Sequence, residues 1–308
     1  VGALVAVRLT AGNVNGPILW NLNLLDARMN AVSETYGNGL WLQNGFDPLT
    51  GDPLTRQSGT GGQSSNVQNL SYLWDTAGNL SHRQDLLQSI TETFSYDALD
   101  RLTLASGPAG QSTAIGYDAI GNLVADSRRG LVDHTDPRHV HAATSFQTGQ
   151  TFGYDDRGQL ITDDQRDLRW DAEGRLVEVT DRASGDQVGY AYGPGGERAM
   201  TRTAGQTLLH LGPLLEYDPA FGVVTYVAAL GRVIARRDPS RVEFLHHDHL
   251  GSVRAVTDDA GRLVSEQDFD VWGAERLALG QAHTPRGHAG GVPDKMSGLT
   301  YLGARYLD

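Results

Sequence analysis

Tyr117-Asp118-Ala119-Ile120-Gly121-Asn122-Leu123 is one of several near-copies of a pattern: aromatic, Asp, two variable residues, Gly, one variable residue, Leu. Residues 74–80, 154–160 and 170–176 keep every fixed position, and residues 96–102 keep all but one, with Asp100 where the others have glycine. Phe46-Asp47-Pro48-Leu49-Thr50-Gly51 is a degenerate copy. The aromatic positions fall at 46, 74, 96, 117, 154, 170 and 192, and a step of 21 or 22 residues suits a hairpin of two strands and two turns. Self-similarity at a fixed period means stacked units, none able to bury its apolar face alone. A constellation repeated this often is a framework and not an active site, because catalysis uses its residues once.

Each fixed position has a physical role. The Asp carboxylate accepts hydrogen bonds from backbone N–H groups two residues on, closing the turn. Gly permits the positive φ of a tight hairpin. The aromatic and the Leu flank the turn and pack as a cross-strand pair. The run after the turn alternates, as in Leu176-Val177-Glu178-Val179-Thr180, which is a strand signature. No segment sustains a 3.6-residue period, so the expected class is all-β. The 37-residue step between Tyr117 and Tyr154 contains Asp133 to His139 and reads as a loop insertion.

Composition narrows the function. With 25 basic and 37 acidic side chains among 308 residues, the net charge of −12 argues against nucleic acid as a partner, since phosphate contacts need clustered Lys and Arg. Lys295 is the sole lysine, so positive charge is nearly all arginine. There is no cysteine, which excludes disulfides and Cys-ligated zinc. No run approaches the roughly 18 to 20 apolar residues of a membrane helix. No signal peptide is legible, and the opening at Val1 without an initiator Met reads as a fragment or a processed product.

From Leu208 onward the period blurs. Phe244-Leu245-His246-His247-Asp248-His249-Leu250-Gly251 has metal-ligand residue types. On a strand, however, His246 and Asp248 share one face and His247 and His249 the other, so two ligands at most converge, and the expected role is a hydrogen-bonded turn. Gly193-Pro194-Gly195-Gly196 lacks the Lys-Ser/Thr of a phosphate loop and sits where the repeat expects its turn. No spacing suggests a Ser-His-Asp triad, although such a triad is recognised by geometry and not by order. No cofactor and no metal is expected.

Together these segments resemble the RHS/YD-repeat family: bacterial RHS proteins, toxin-complex C-type components and, more distantly, teneurins. Gly212-Pro213-Leu214-Leu215-Glu216-Tyr217 is similar to the family's G-P-L-Y-E segment, His246 to Gly251 to its H-x-D-H-L-G signature, and Ser297 to Asp308 to its core-ending motif, with Leu307 where Tyr is usual. The resemblance implies a β-hairpin spiral forming part of a hollow shell, with a repeat region at 1–207 and a core-associated region at 208–308. It implies encapsulation of a C-terminal toxin domain, partnership with further shell segments or a partner shell protein, and passage through a delivery apparatus. Secretion or delivery from a bacterial cytoplasm, in competition between bacteria, follows. It further implies an aspartyl self-cleavage in which Asp308 is one of two catalytic carboxylates and Arg305 lies beside the cleavage centre, the second carboxylate falling downstream. One Asp cannot both activate water and protonate the leaving group, so the chain as it stands is expected to be inactive. The alternative is an open repeat sheet that binds carbohydrate or a cell-surface receptor.

Overall fold

The computed structural model describes residues 5–11, 14–61, 65–303 and 305–308, and it is nearly all β. Its helical content among these residues is two single turns, Pro108–Gly110 and His288–Gly290. Strands pair antiparallel, and in every sheet the strand order is the order along the chain.

The repeat turn explains this topology. In the copy at 117–123, Asp118 Oδ1 accepts the N–H groups of Ile120 at 3.0 Å and Asn122 at 2.8 Å. Its other oxygen takes the Asn122 side-chain amide at 3.0 Å. Gly121 sits at φ 93°, the left-handed region that glycine enters without a Cβ clash. One extra residue then bulges from the second strand, so that Tyr117 pairs with Leu123. The other copies repeat the pairing: Trp74 with Leu80, Tyr96 with Leu102, Tyr154 with Leu160, Trp170 with Leu176. Asp100 takes φ 58° in its glycine's place, so the copy at 96–102 folds like the rest.

The chain forms two compact units. One comprises the described residues of Val1–Thr91, Leu211–Pro293 and Thr300–Leu307; the other comprises Glu92–His210, Asp294–Leu299 and Asp308. A division by repeat regularity at 207/208 is thus distinct from the division by contact, which shares the C-terminal third between both units.

In the first unit, the strands from Val14–Leu25 to Leu80–Asp85 lie face to face with those from Leu215–Asp218 to Glu275–Gly280. Trp20, Tyr36, Leu40 and Leu42 from one sheet meet Ile234, Ala235, Phe244 and Ala255 from the other. Each such large side chain taken from water contributes about 1.5–3 kcal/mol. Strands Val242–His247 and Val253–Thr257 are buried on both faces. Ala282 packs on the Leu245, Val253 and Val256 cluster, and the backbone N–H groups of His283 and Thr284 donate to Glu243. The interface is strongly polar for a core. Glu34, fully buried, accepts from Trp20 Nε1 at 2.6 Å and pairs with Arg232. Arg254 binds Asp85 at 3.0 Å and Asp268 at 2.7 Å.

The expected blurring of the repeat after Leu208 is corrected by this unit. Asp248, Asp258 and Asp270 each accept the N–H groups two and four residues on, and Gly251, Gly261 and Gly273 have φ of 83°, 77° and 88°. The histidine signature is therefore one more copy of the turn. A register shift between His246 and His247 also ends the simple alternation that assigned His246 and Asp248 to one face.

In the second unit, strands from Leu102–Ser106 to Thr207–His210 carry a bond that recurs between neighbouring repeats. Tyr117 Oη donates to the Leu102 carbonyl at 3.0 Å, Trp170 Nε1 to Leu160 at 2.7 Å and Tyr192 Oη to Leu176 at 2.7 Å. In these three repeats the aromatic bonds the Leu carbonyl of its predecessor, whereas Tyr154, after the insertion, donates to the Ala143 carbonyl at 2.8 Å. Arg101 and Arg175 add a second link, binding their own turn Asp through Nε at 2.8 and 2.7 Å while lying over the rings of Tyr117 and Tyr192.

Candidate functional site: a docked C-terminal motif

The core-ending motif is introduced by a longer turn, Asp294-Lys295-Met296-Ser297-Gly298-Leu299. Asp294 Oδ1 accepts the N–H groups of Met296 at 3.0 Å and Ser297 at 3.3 Å, and Leu299 N–H donates to Ser297 Oγ at 3.3 Å. Gly298 has φ 70°. The same turn occurs at Asp47 and Asp181, where Thr50 and Ser184 supply the hydroxyl and Gly51 and Gly185 the positive φ. Its signature, Asp-x-x-Ser/Thr-Gly, is present in the sequence at all three places.

This turn is bound to strands of the second unit. Tyr190 Oη donates to Asp294 Oδ2 at 2.7 Å and lies 3.2 Å from Ser297 Oγ. Arg166, at the start of strand Arg166–Trp170, donates from Nη1 to the Ser297 carbonyl at 2.8 Å and from Nη2 to Asp308 Oδ2 at 2.6 Å. Its counter-charge is Asp163, which accepts from Arg166 Nε at 2.9 Å and Nη2 at 2.5 Å. The other oxygen of Asp163 is fixed by the backbone N–H groups of Gln165 at 2.8 Å and Arg166 at 2.6 Å. Arg166 and Asp163 are buried, whereas the Asp308 side chain is 49% exposed. Burial acts to lower the Arg166 pKa, but the hydrogen bonds and charges of Asp308 and Asp163 outweigh it and raise the value. One guanidinium therefore joins two carboxylates and one carbonyl at a single locus.

Of the two residues singled out by the motif, Asp308 lies at this locus. Arg305 lies in the exposed turn between strands Thr300–Tyr301 and Tyr306–Leu307, its carbonyl accepting from Leu302 N–H at 2.9 Å. Arg166, Asp163 and Tyr190 were not singled out. They belong to ordinary strands more than a hundred residues upstream, and no local pattern marks them.

The other candidate constellations resolve as framework. His246 is hydrogen-bonded at both ring nitrogens, to Ser58 Oγ at 3.2 Å and Thr257 Oγ1 at 3.0 Å. His249 packs on the Tyr72 ring at 4.4 Å. Burial, aided by the charges of Arg56 and Arg232, pulls His246 down to about 3. Among the described residues no group of three His, Asp or Glu is placed to hold a metal ion. A Ser, a His and an Asp do meet, at Ser240, His283 and Asp238, but both Ser240 Oγ and His283 Nδ1 bind the carboxylate, so nothing in that contact activates the hydroxyl as a nucleophile. In the glycine-rich loop, Gly193 N–H donates to the Glu197 carbonyl at 2.8 Å and Gly196 has φ 84°, the repeat turn without its Asp. A Cβ on Gly193 would stand 2.3 Å from Glu197 Oε1. The Glu197 carboxylate thus fills the space that the turn Asp would take.

Hairpin repeats cross-linked through their aromatics, and closed by a core-ending motif bound back onto the repeats, define a YD-repeat shell protein. A family model described as the teneurin YD-shell matches residues 56–210, half of the chain, and the chain belongs to that family. It is 28% identical to the double-stranded DNA deaminase toxin A of Burkholderia cenocepacia (strain H111), over 90% of this chain and 22% of that protein. It is 25% identical to the tRNA3(Ser)-specific nuclease WapA of Bacillus spizizenii, over 69% of this chain and 10% of that protein. Among solved structures, a TcdB2-TccC3-Cdc42 crystal structure covers 98% of this chain with a TM-score of 0.78 at 20% identity, using 18% of that chain. The Photorhabdus luminescens Tc holotoxin pore covers 96% with a TM-score of 0.75 at 19% identity, using 17% of that chain. The chain therefore spans about a fifth or less of each of these proteins.

Proposed function

We propose that this chain is a wall segment of a toxin shell that encloses a C-terminal effector, and that the peptide chain is cut shortly after Asp308 by the shell itself. The observation that carries this reading is the locus at Arg166, where the core-ending motif is fastened to the repeat sheet through both its opening turn and Asp308. The relatives that share 90% and 69% of this chain are a toxin and a nuclease, which supports an effector as cargo. The likeness to Tc toxin structures supports further shell segments or a partner shell protein, and delivery out of the producing cell.

The cut is a hydrolysis. The oxygen of a water bonds to the scissile carbonyl carbon, the C–N bond breaks, one water proton goes to an ionised carboxylate and the departing amine takes a proton from a second, protonated one. Asp308 supplies one carboxylate and the downstream chain the other. Protease added to the purified full gene product tests the reading. The effector fragment should co-purify with the shell and resist digestion until the shell is unfolded; a fragment digested as fast as free effector contradicts it.

A second reading, carbohydrate or receptor binding, has one feature in its favour. A groove in the second unit is lined by Trp170, Arg157, Gln159 and Asp155. Trp170 is nevertheless committed to the Leu160 carbonyl, which makes the groove a by-product of the repeat. Glycan-array binding abolished by Arg157→Ala would favour this reading.

A further inference from the structure

We propose that Arg166 is a positioning residue for the self-cleavage, an inference that rests on the reading just given. Burying a guanidinium costs several kcal/mol, and an apolar residue at the start of this strand would serve stability as well or better. Asp163 alone would neutralise it. Yet the fork of Arg166 is turned toward partners 131 and 142 positions away, the Ser297 carbonyl and Asp308 Oδ2. Because Asp163 is pinned by two backbone N–H groups and itself holds Nε and Nη2, the fork cannot swing. It sets the span between the motif's opening turn and its terminal carboxylate. Arg166 engages Asp308 through Oδ2, which leaves Oδ1 outside the fork. Lysine has the charge but not the planar fork, so it reaches one of these partners at a time.

The test uses the full gene product, with the cut fraction followed by intact mass over time in wild type, Arg166→Gln, Arg166→Lys, Tyr192→Phe and Asp308→Asn. Tyr192→Phe serves as the control, because it removes a bond between repeats of the same unit without touching the motif or Asp308. A misplaced reacting group costs about 100-fold in rate, so Arg166→Gln should slow the cut by that order. Arg166→Lys should restore part of it, and Tyr192→Phe should stay within a few-fold of wild type, with Tm measured for each. Equal slowing in Arg166→Gln and Tyr192→Phe at equal loss of Tm would reduce Arg166 to a structural tether. Wild-type rate in Arg166→Gln, with Asp308→Asn uncut, would overturn this inference alone. An uncut wild type would overturn the self-cleavage reading and this inference with it.

Discussion

The Tyr192 hydroxyl donates to the Leu176 carbonyl at 2.7 Å, one repeat upstream, and the same bond links Tyr117 to Leu102 and Trp170 to Leu160. The aromatic of the pattern is therefore a fastener between repeats as well as half of a cross-strand pair. Removing one such neutral hydrogen bond while keeping the ring should cost about 1 kcal/mol. Tyr192→Phe should lower the urea midpoint accordingly. Trp170→Ala, which also removes the ring, should lower the midpoint further than Tyr192→Phe does.

The Asp of the pattern gathers two backbone N–H groups and a side-chain partner on one carboxylate. Asp118→Ala leaves these donors to water at a surface turn and should lower the urea midpoint, as loss of a helix cap does. At Asp97 and Asp171 the bond from the repeat's own Arg, followed by the backbone bonds, holds the pKa below the ordinary carboxylate value. A depressed carboxylate adds stability above its unfolded value and loses it as pH falls through the folded one. Acid titration of Asp171→Asn should show a shallower loss of stability below about pH 4 than wild type.

The buried histidines give a second acid limb at higher pH. Burial pulls His246 to about 3 and His249 to about 4, from 6.5. Their folded values lie below the unfolded one, so the neutral rings stabilise the fold fully above pH 6.5. That contribution is lost as pH falls from 6.5 toward about 4 and then 3. Each histidine contributes about 1.4 kcal/mol per pH unit across its window. His249→Phe keeps the ring against Tyr72 and should flatten the Tm profile between pH 6.5 and 4. An unchanged slope would show that His249 is not among the groups that titrate on unfolding.

Gly193 and Glu197 form a swapped version of the repeat turn. Gly193→Asp alone forces its side chain onto the Glu197 carboxylate and should destabilise. Glu197→Ala with Gly193→Asp should recover stability, because the carboxylate then comes from the pattern's own position. A double-mutant cycle in urea should show coupling of about 0.5–3 kcal/mol, and additivity would contradict the swap.

How much of this was legible depends on whether a feature is local. The hairpin was, because Asp118 and Gly121 act within one turn and leave a fixed spacing. The turn at Asp26 was not, since Met29 at φ 67° stands where glycine would and Leu25 and Ala31 replace the aromatic and the Leu. The copies at Asp248, Asp258 and Asp270 keep the glycine but were obscured at their flanks, where His247 and Thr257 replace the aromatic and Val253 and Glu275 the Leu. At the candidate site Asp308 was legible from the motif around it, whereas Arg166, Asp163 and Tyr190 became visible only once folding had brought strands together. Two-layer packing of the first unit was hidden too, because Glu34 and Arg254 read as surface charges until each is seen to meet a partner from the facing sheet, Arg232 and Asp85.

The most direct test of the account is the intact mass of the full gene product in wild type and Asp308→Asn. The account predicts that wild type is found as two pieces parted shortly after Asp308, and that the Asn variant is whole. A wild type recovered as one uncut chain, or a variant cut as readily as wild type, would contradict it.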